Sequence, residues 1–271
     1  MNTSDEIKKI VKDKYSKIAS ASLQSDCCAP KTETSCCNNS KEVDYTVFND
    51  DYTELKGYVK DADLGLGCGL PTEHALINEG DTVVDLGSGA GNDVFIARTI
   101  VGDKGKVIGI DMTEDMVTKA NQNLVKLGFR NIEFKLSEIE NILLNDDLAD
   151  VVISNCVLNL VPDKKKAFEE IYRILKPGAH FCVSDIVLRG ELPENIRNAA
   201  AMYAGCVSGA EQENDYLNII KSVGFNNIEV KKSRQIELTD EMLLEHLSKE
   251  ETAKFRESAT GIYSITVVAV K

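Results

Sequence analysis

The sequence predicts an α/β protein with a doubly wound, mostly parallel sheet of seven strands. From residue 81 onward, short runs rich in Val and Ile alternate with amphipathic segments, a pattern typical of βαβ units. A glycine-rich turn follows the first of these runs, at the place where open α/β sheets bind ligands. With 43% hydrophobic residues in a chain of 271, the protein can also bury a large core.

The individual elements follow from hydrophobic periodicity and from helix-ending signals. The pattern predicts five strands, at 82–86, 106–110, 132–136, 149–154 and 180–188. It predicts helices between them at 92–100, 114–127 and 164–175, the last closed by Pro177-Gly178. Two more helices are expected at 195–203 and 216–223, followed by strands at 227–231 and 263–270. These last two strands predict a terminal hairpin on the sheet.

The first 60 residues predict an extension outside the sheet. Ile7, Ile10, Val11 and Ile18 stand at helical spacing and predict a docking helix. Residues 19–40 are small and polar, which is typical of a mobile linker. We therefore expect three regions, namely a helix with a cysteine-rich arm over 1–60, a ligand-binding domain over 61–190 and an α/β cap over 191–271 that covers a substrate site.

Charge and hydropathy exclude several classes of partner. The chain has 31 Lys and Arg residues against 44 Asp and Glu residues, a net charge of −13, which would repel a nucleic-acid backbone. The aliphatic run at 267–270 is far shorter than the ~20 residues that span a bilayer. The N-terminus alternates charges and shows no secretory pattern. We expect a cytoplasmic monomer that binds neither nucleic acid nor membrane.

The glycine-rich turn has a specific pattern. It reads Asp85-Leu-Gly87-Ser88-Gly89-Ala-Gly91, so that its glycines fall as G-x-G-x-G, which differs from the G-x-G-x-x-G of dinucleotide-binding enzymes. Asp111 ends the second predicted strand, twenty residues after Gly91, a placement suited to a carboxylate that binds a ribose diol.

With this loop, the sequence resembles the class I S-adenosylmethionine-dependent methyltransferases, whose fold is Rossmann-like. The loop pattern favours this family over nicotinamide enzymes. The resemblance implies that Asp85 orients the loop, that the glycines admit the amino-acid part of S-adenosylmethionine, and that Asp111 holds the ribose. It also implies an adenine contact near residues 137–140. The expected cofactor-binding residues are Asp85, Gly87, Ser88, Gly89, Gly91, Asp111, Met112, Glu138, Ile139 and Asn155.

Eight cysteines are unusual for a protein with reduced thiols, and they suggest metal binding or redox chemistry. Cys156 follows the fourth strand, so its thiol is expected beside the methyl donor. Cys68 lies in a glycine-rich loop before Pro71, where backbone amides and a helix dipole would stabilise a thiolate. Cys206 either covers the substrate mouth or packs within a helix, whereas Cys182 is expected in the core.

Two adjacent pairs, Cys27-Cys28 and Cys36-Cys37, stand in the linker. Four thiolates can bind zinc, but adjacent cysteines lack the usual C-x₂₋₄-C spacing. Delivery of a soft ion, its capture or redox exchange fits these pairs better.

The thiols also suggest the substrate, because no histidine is well placed as a general base: His74, His180 and His246 are expected to be structural or exposed. Thiolates bind soft ions such as trivalent arsenic. Three thiolates leave arsenic a lone pair that can attack a sulfonium methyl group without a base, at near-attack distance.

The motifs Gly-Leu-Gly-Cys68-Gly-Leu-Pro, Ser-Asn-Cys156-Val-Leu-Asn-Leu and Tyr-Ala-Gly-Cys206 resemble those of the arsenite methyltransferases. The resemblance implies that Cys156 and Cys206 bind As(III), and the loop position of Cys68 favours it as a third ligand. The resemblance also implies that Cys68 and one N-terminal cysteine, for which we select Cys37, complete a thiol relay. A thiol reductant, thioredoxin or glutathione, would clear the resulting disulfide.

Two other functions stay open from the sequence. One is a class I methyltransferase of a small organic substrate, in which the cysteines are incidental. The other is a thiol-based metal-binding or redox-sensing protein on a degenerate cofactor fold, although the intact loop from Asp85 to Gly91 argues against degeneration.

Overall fold

The computed structural model describes residues 4–21, 50–196, 207, 209–258 and 260–271. The strands are β1 (Thr82–Leu86), β2 (Lys106–Asp111), β3 (Ile132–Leu136), β4 (Ala149–Asn155), β5 (Leu175–Arg189), β6 (Asn226–Gln235) and β7 (Gly261–Val270). The helices are α1 (Ser4–Ala21), α2 (Pro71–His74), α3 (Asn92–Val101), α4 (Glu114–Leu127), α5 (Lys164–Ile174), α6 (Glu213–Val223), α7 (Asp240–His246) and α8 (Lys249–Glu257).

The seven strands form one sheet in the order β3-β2-β1-β4-β5-β7-β6, which confirms the expected fold class. Strands β1 to β5 are parallel to one another, and β7 runs antiparallel between β5 and β6. The strand order reverses between β1 and β4. Open α/β sheets bind ligands at such a reversal, outside the carboxyl ends of the strands.

Helices cover both faces of the sheet, so successive residues of the central strands enter two different cores. Val84 and Leu86 of β1 pack in one cluster with Phe168 of α5. Val83 of the same strand packs in the opposite cluster with Phe95 of α3. This alternation follows from the two-residue period of a strand, and burial on both faces explains why these strands are continuously apolar.

Strand β5 begins earlier than the periodicity predicts. Its residue Leu175 pairs with Ala149, and His180 pairs with Val151, so the intervening residues bulge out of the ladder. Pro177-Gly178 therefore lies in this bulge, and α5 already ends at Ile174. The predicted end of the helix is confirmed to within one residue, since Leu175 is its C-cap and Pro177 follows two residues later, where a proline cannot continue a helix.

The two late strands are antiparallel neighbours, as predicted, but they are not a hairpin. Helices α7 and α8 lie between them in the chain. Leu243 of α7 packs with Ile236 and Leu238 in a buried cluster that Phe255 of α8 contacts. A capping box at Ser248 begins α8.

Helix α1 confirms the predicted N-terminal helix. The linker cysteines Cys27, Cys28, Cys36 and Cys37 lie outside the described residues, as does Cys206. In the part of the chain that the structure describes, no helix is both long and apolar enough to cross a membrane.

Candidate active site

A deep cleft opens at the carboxyl ends of β1, β2 and β4. Its empty volume, with the open mouth included, is about 1120 Å³. Nine of the expected cofactor-binding residues line it: Asp85, Gly87, Ser88, Gly89, Asp111, Met112, Glu138, Ile139 and Asn155. The structure thus brings together all of the set except Gly91.

The glycine-rich loop turns tightly from β1 into α3. The backbone N–H groups of Gly87 and Ser88 both donate to the Ile110 carbonyl oxygen, at 2.7 and 2.9 Å, which fixes the loop to β2. Gly91 stands at the start of α3 with φ +100°, and a Cβ atom there would lie 2.8 Å from the Phe134 ring. Gly91 therefore allows α3 to begin close to β3 instead of lining the cleft.

Asp111 connects two loops at the end of β2. Its Oδ2 accepts from Gly89 N at 3.0 Å, and its Oδ1 accepts from Thr113 N at 2.8 Å. Burial raises the pKa of this carboxyl, although the two backbone hydrogen bonds oppose the rise. The carboxylate is held in a fixed orientation at the cleft wall.

Asp85 and Asp93 add two more carboxyl groups to the same cleft. Burial, together with the charges of Asp93 and Asp111, raises the pKa of Asp85 well above its usual range. Burial raises the pKa of Asp93 to about 6, against the hydrogen bonds from Asn155 and Tyr52. Three carboxyl groups in one buried cleft favour a cationic ligand.

Asn155, at the end of β4, joins the cleft to the loop that carries Cys68. Its Oδ1 accepts from Cys68 N at 3.0 Å, and its Nδ2 donates to the Gly69 carbonyl oxygen at 2.8 Å. The same Nδ2 donates to Asp93 Oδ2 at 3.2 Å and to the Tyr52 hydroxyl oxygen. Asn155 is thus bonded to partners from three separate parts of the chain.

Cys68 is fully buried in this loop, and its carbonyl oxygen accepts from the Ser264 hydroxyl of β7. Pro71 begins the following helix, as predicted. Helix α2 has only four residues, however, so it provides little of the dipole that we expected to stabilise a thiolate.

Cys156 follows β4 and lines the cleft, with 3% of its surface exposed. Its backbone is left-handed, with φ +59°, and its N–H donates to the Ser184 carbonyl oxygen at 2.7 Å. Strained non-glycine residues cluster at active sites, and of the four described non-glycine residues with positive φ, Cys156 is the one that lines the cleft. Cys156 and Cys68 belong to the same buried hydrophobic cluster, but only Cys156 is among the residues that line the cleft.

The third described cysteine, Cys182, lies in the core of β5 as predicted. Its thiol donates to the Pro71 carbonyl oxygen at 3.2 Å, and burial raises its pKa to about 12. None of the three described cysteines is in a disulfide.

Helix α1 contributes a wall of the cleft that sequence reasoning did not assign to the site. Lys8 and Tyr15 line the cleft beside Glu138. The Lys8 ammonium lies 2.7 Å from a Glu138 carboxylate oxygen and 2.5 Å from one of Glu140. Tyr52 and Asp93 were also missed. Of these two, only Asp93 had a signal in the sequence, since it comes two residues after Gly91 of the glycine-rich turn.

The histidines lie elsewhere, as expected. His180 Nε2 is 2.6 Å from the Ala75 carbonyl oxygen, which makes it a structural contact between β5 and α2. Among the described residues that line the cleft there is no histidine.

A family profile described as a methyltransferase domain matches residues 77–224, just over half of the 271 residues. The chain belongs to the methyltransferase family. The sheet order with an antiparallel β7 is the class I fold of this family. The resemblance that we described from the sequence motifs is confirmed by homologues named arsenite methyltransferases.

The arsenite methyltransferase of Halobacterium salinarum is 37% identical over 232 residues, which cover 83% of this chain and 59% of that protein. That of Mus musculus is 39% identical over 168 residues, 59% of this chain and 44% of that protein. This methyltransferase-family chain therefore spans less than two thirds of the length of these curated relatives.

A crystal structure gives a third comparison. An arsenic(III) S-adenosylmethionine methyltransferase from Chlamydomonas reinhardtii superposes with a TM-score of 0.63 at 33% identity. The match covers 84% of this methyltransferase-family chain and 73% of the algal chain.

Proposed function

We propose that the protein transfers a methyl group from S-adenosylmethionine to trivalent arsenic, supplied as arsenite or as its thiol conjugate. One observation carries this proposal: a strained, buried cysteine, Cys156, lines the same cleft as the glycine-rich loop and Asp111. The homology to arsenite methyltransferases supports the same substrate.

The cleft fits the methyl donor in charge and in hydrogen bonding. Three buried oxygen atoms, Ser88 Oγ, Asn92 Oδ1 and Asp93 Oδ1, have no partner among the described residues, and all three residues line the cleft. Buried polar atoms of this kind indicate a ligand. S-Adenosylmethionine brings a cationic ammonium group and a sulfonium group, which match the carboxyl groups of Asp85, Asp93 and Asp111 in the buried cleft.

Particular residues would hold each part of the donor. Asp111, bonded by both oxygens to backbone N–H groups, would present its remaining lone pairs to the ribose diol. The glycine-rich loop and Asp85 would hold the amino-acid part, and Glu138 and Ile139 the adenine. The bound donor supplies an electrophilic methyl group on a sulfonium centre.

The chain's own part in the reaction is to hold arsenic at the cleft. Cys156, Cys68 and Cys206 would bind As(III) as thiolates, because soft ions prefer soft ligands. The arsenic lone pair then serves as the nucleophile, so no general base is needed at the wall of the cleft. Transfer of the methyl cation uses that lone pair and raises arsenic formally from As(III) to As(V).

Two electrons then return arsenic to the trivalent state. We propose that a pair of protein thiols, Cys37 with Cys68, supplies them by forming a disulfide. Thioredoxin or glutathione would reduce this disulfide and be oxidised in turn. The three-part division at residues 60 and 190 belongs to the same proposal, with the arm over 1–60 carrying Cys37 and the cap over 191–271 carrying Cys206.

Serine substitutions test the proposal. We expect Cys156→Ser and Cys206→Ser each to lower the yield of methylated arsenic about 100-fold or more, because arsenic loses a ligand that orients it. Arsenic species would be separated by chromatography after incubation with S-adenosylmethionine, arsenite and a thiol reductant. Cys182→Ala is the matched control, since this cysteine lies in the core. Full activity in both serine variants would overturn the proposed mechanism.

A further inference from the structure

The Asp93 carboxylate has two unlike oxygens. Its Oδ2 lies 3.1 Å from the Tyr52 hydroxyl and 3.2 Å from Asn155 Nδ2. Its Oδ1 is buried without a hydrogen-bond partner in the described part of the chain, although Asp93 lines the cleft with only 9% of its surface exposed. An unsatisfied oxygen of this kind is costly unless a ligand completes it.

The network on the Oδ2 side has more contacts than hydrogen atoms. Tyr52 lies within bonding distance of Asp93 and of the Gly69 carbonyl oxygen, each at 3.1 Å, yet its hydroxyl has one hydrogen. Asn155 Nδ2 has two hydrogens for Gly69, Asp93 and Tyr52. Three hydrogens thus serve five contacts, so the Asp93 carboxylate and the Gly69 carbonyl compete for them.

This competition concerns the loop that carries Cys68. The loop is held to β4 by Cys68 N, which donates to Asn155 Oδ1, and by the Gly69 carbonyl oxygen. A Cβ atom on Gly67 would lie 2.8 Å from Asn155 Nδ2, so the backbone packs directly on this amide. If Asn155 and Tyr52 shift their hydrogen bonds from one acceptor to the other, the loop is held more or less firmly to β4.

We propose that Asp93 is a positioning residue that couples binding of the methyl donor to fixation of the Cys68 loop. The cationic amino-acid part of the donor binds Oδ1. This cation neutralises part of the carboxylate charge, so Oδ2 becomes a weaker acceptor for Tyr52 and Asn155. The hydrogens of these two side chains then favour the Gly69 carbonyl, which fastens the loop beside Cys156. This inference rests on the proposed function for the identity of the donor.

Hydrogen exchange tests the coupling without arsenic. S-Adenosylhomocysteine at saturation is expected to slow exchange of the backbone amides of residues 66–70 in the unaltered protein about tenfold. In Asp93→Asn, which keeps the side-chain shape but loses the charge, the same saturation should leave their exchange unchanged. 5′-Methylthioadenosine, which lacks the amino-acid part, serves as the matched ligand and should have no effect on the loop in either protein.

Binding of a trivalent arsenical gives a second readout. The affinity of the protein for phenylarsine oxide, measured by calorimetry, should rise about tenfold with S-adenosylhomocysteine, and this ratio should fall to about one in Asp93→Asn. Tyr52→Phe, which removes the shared hydrogen, should lower the ratio while leaving the carboxylate intact.

The outcomes separate the two proposals. If the loop amides ignore S-adenosylhomocysteine, or respond equally in folded Asp93→Asn, the coupling is overturned. If they respond as expected but phenylarsine oxide does not bind, the coupling holds and the arsenic substrate is wrong. Circular dichroism establishes that each variant is folded, and Tyr52→Phe decides the matter if Asp93→Asn does not fold.

Discussion

Asp185 is a carboxylate buried within β5 that does not line the cleft. Its Oδ2 accepts from the Tyr216 hydroxyl of α6 at 3.0 Å, and its Oδ1 accepts from Ile186 N at 3.0 Å. Burial raises its pKa to about 7, although these bonds and the charge of Lys164 on α5 oppose the rise. Between pH ~4 and about 7, Asp185 is therefore protonated in the folded protein and ionised in the unfolded chain, where the pKa of Asp is ~3.9.

This proton makes stability depend on pH. Because the folded pKa is raised, the stabilisation is complete below pH ~4 and is lost as pH rises through about 7. We expect Asp185→Asn to remove that loss. Relative to that of the variant, the free energy of unfolding of the unaltered protein should fall by up to about 1.4 kcal/mol per pH unit between pH ~5 and ~7. Urea unfolding at several pH values measures the difference.

A second substitution controls for the loss of a carboxylate. Asp215 is exposed in the first turn of α6, beside Tyr216 in sequence. Asp215→Asn should leave the loss of stability between pH ~5 and ~7 in place, because it leaves Asp185 unaltered. A parallel pH dependence for Asp185→Asn and the unaltered protein would show that Asp185 is ionised throughout.

At the scale of elements, α1 forms one wall of the cleft, where Lys8 pairs with Glu138 and Glu140. Glu140 is 7% exposed and Lys8 is 22% exposed, so Lys8→Ala would leave a buried carboxylate without its cation. We expect α1 to detach more often and the affinity for S-adenosylhomocysteine to fall about three- to tenfold, which is ~0.7–1.4 kcal/mol. Calorimetry and limited proteolysis near residue 21 measure the two effects.

Lys9→Ala is the matched control, because Lys9 is the next residue of α1 and is exposed. It should change neither the affinity nor the rate of proteolysis. If Lys8→Ala binds S-adenosylhomocysteine as tightly as Lys9→Ala does, α1 is not part of the cofactor site.

Most elements of the sheet could be predicted from the sequence because each has a local signal. The bounds of β1, β3 and α4 agree with the structure residue for residue, since turn residues flank clear apolar periods. The connection between β6 and β7 could not be predicted in full. Helices α7 and α8 are short, and they are stabilised by tertiary packing more than by their own helix propensity.

At the scale of the whole molecule, the candidate site was predictable only where its residues share a motif. The glycine-rich loop and Asp111 lie at strand ends that the alternation fixes. Tyr52 contacts Asn155 across 103 positions of sequence, and Lys8 reaches Glu138 across 130. Hydrophobic periodicity and residue spacing do not predict such contacts, because the contacts depend on how the N-terminal extension folds back over the sheet.

The sheet as a whole depends on β7. Nine of its ten residues are buried, and it pairs with β5 along one side and with β6 along the other. We expect Val267→Asp to lower the free energy of unfolding by about 4 kcal/mol or more, because it buries an unpaired charge. Denaturant unfolding, or loss of soluble protein, measures this effect.

Val230 provides the control, since it is the cross-strand partner of Val267 on β6 and is 38% exposed. Val230→Asp should cost less than about 1 kcal/mol, as exposed substitutions do. An equal fall in the free energy of unfolding for Val267→Asp and Val230→Asp would mean that β7 is not the buried strand of this pair.

The position of β7 also sets an order of events during synthesis. Strand β6 leaves the ribosome before β7, yet its place in the sheet is beyond β7, so it has no strand to pair with when it emerges. Until β7 is made, the edge of β5 remains unpaired, and unpaired strand edges promote pairing between chains. The nascent protein must therefore keep this edge unpaired while α7 and α8 are being made, which makes that interval its period of greatest exposure to aggregation.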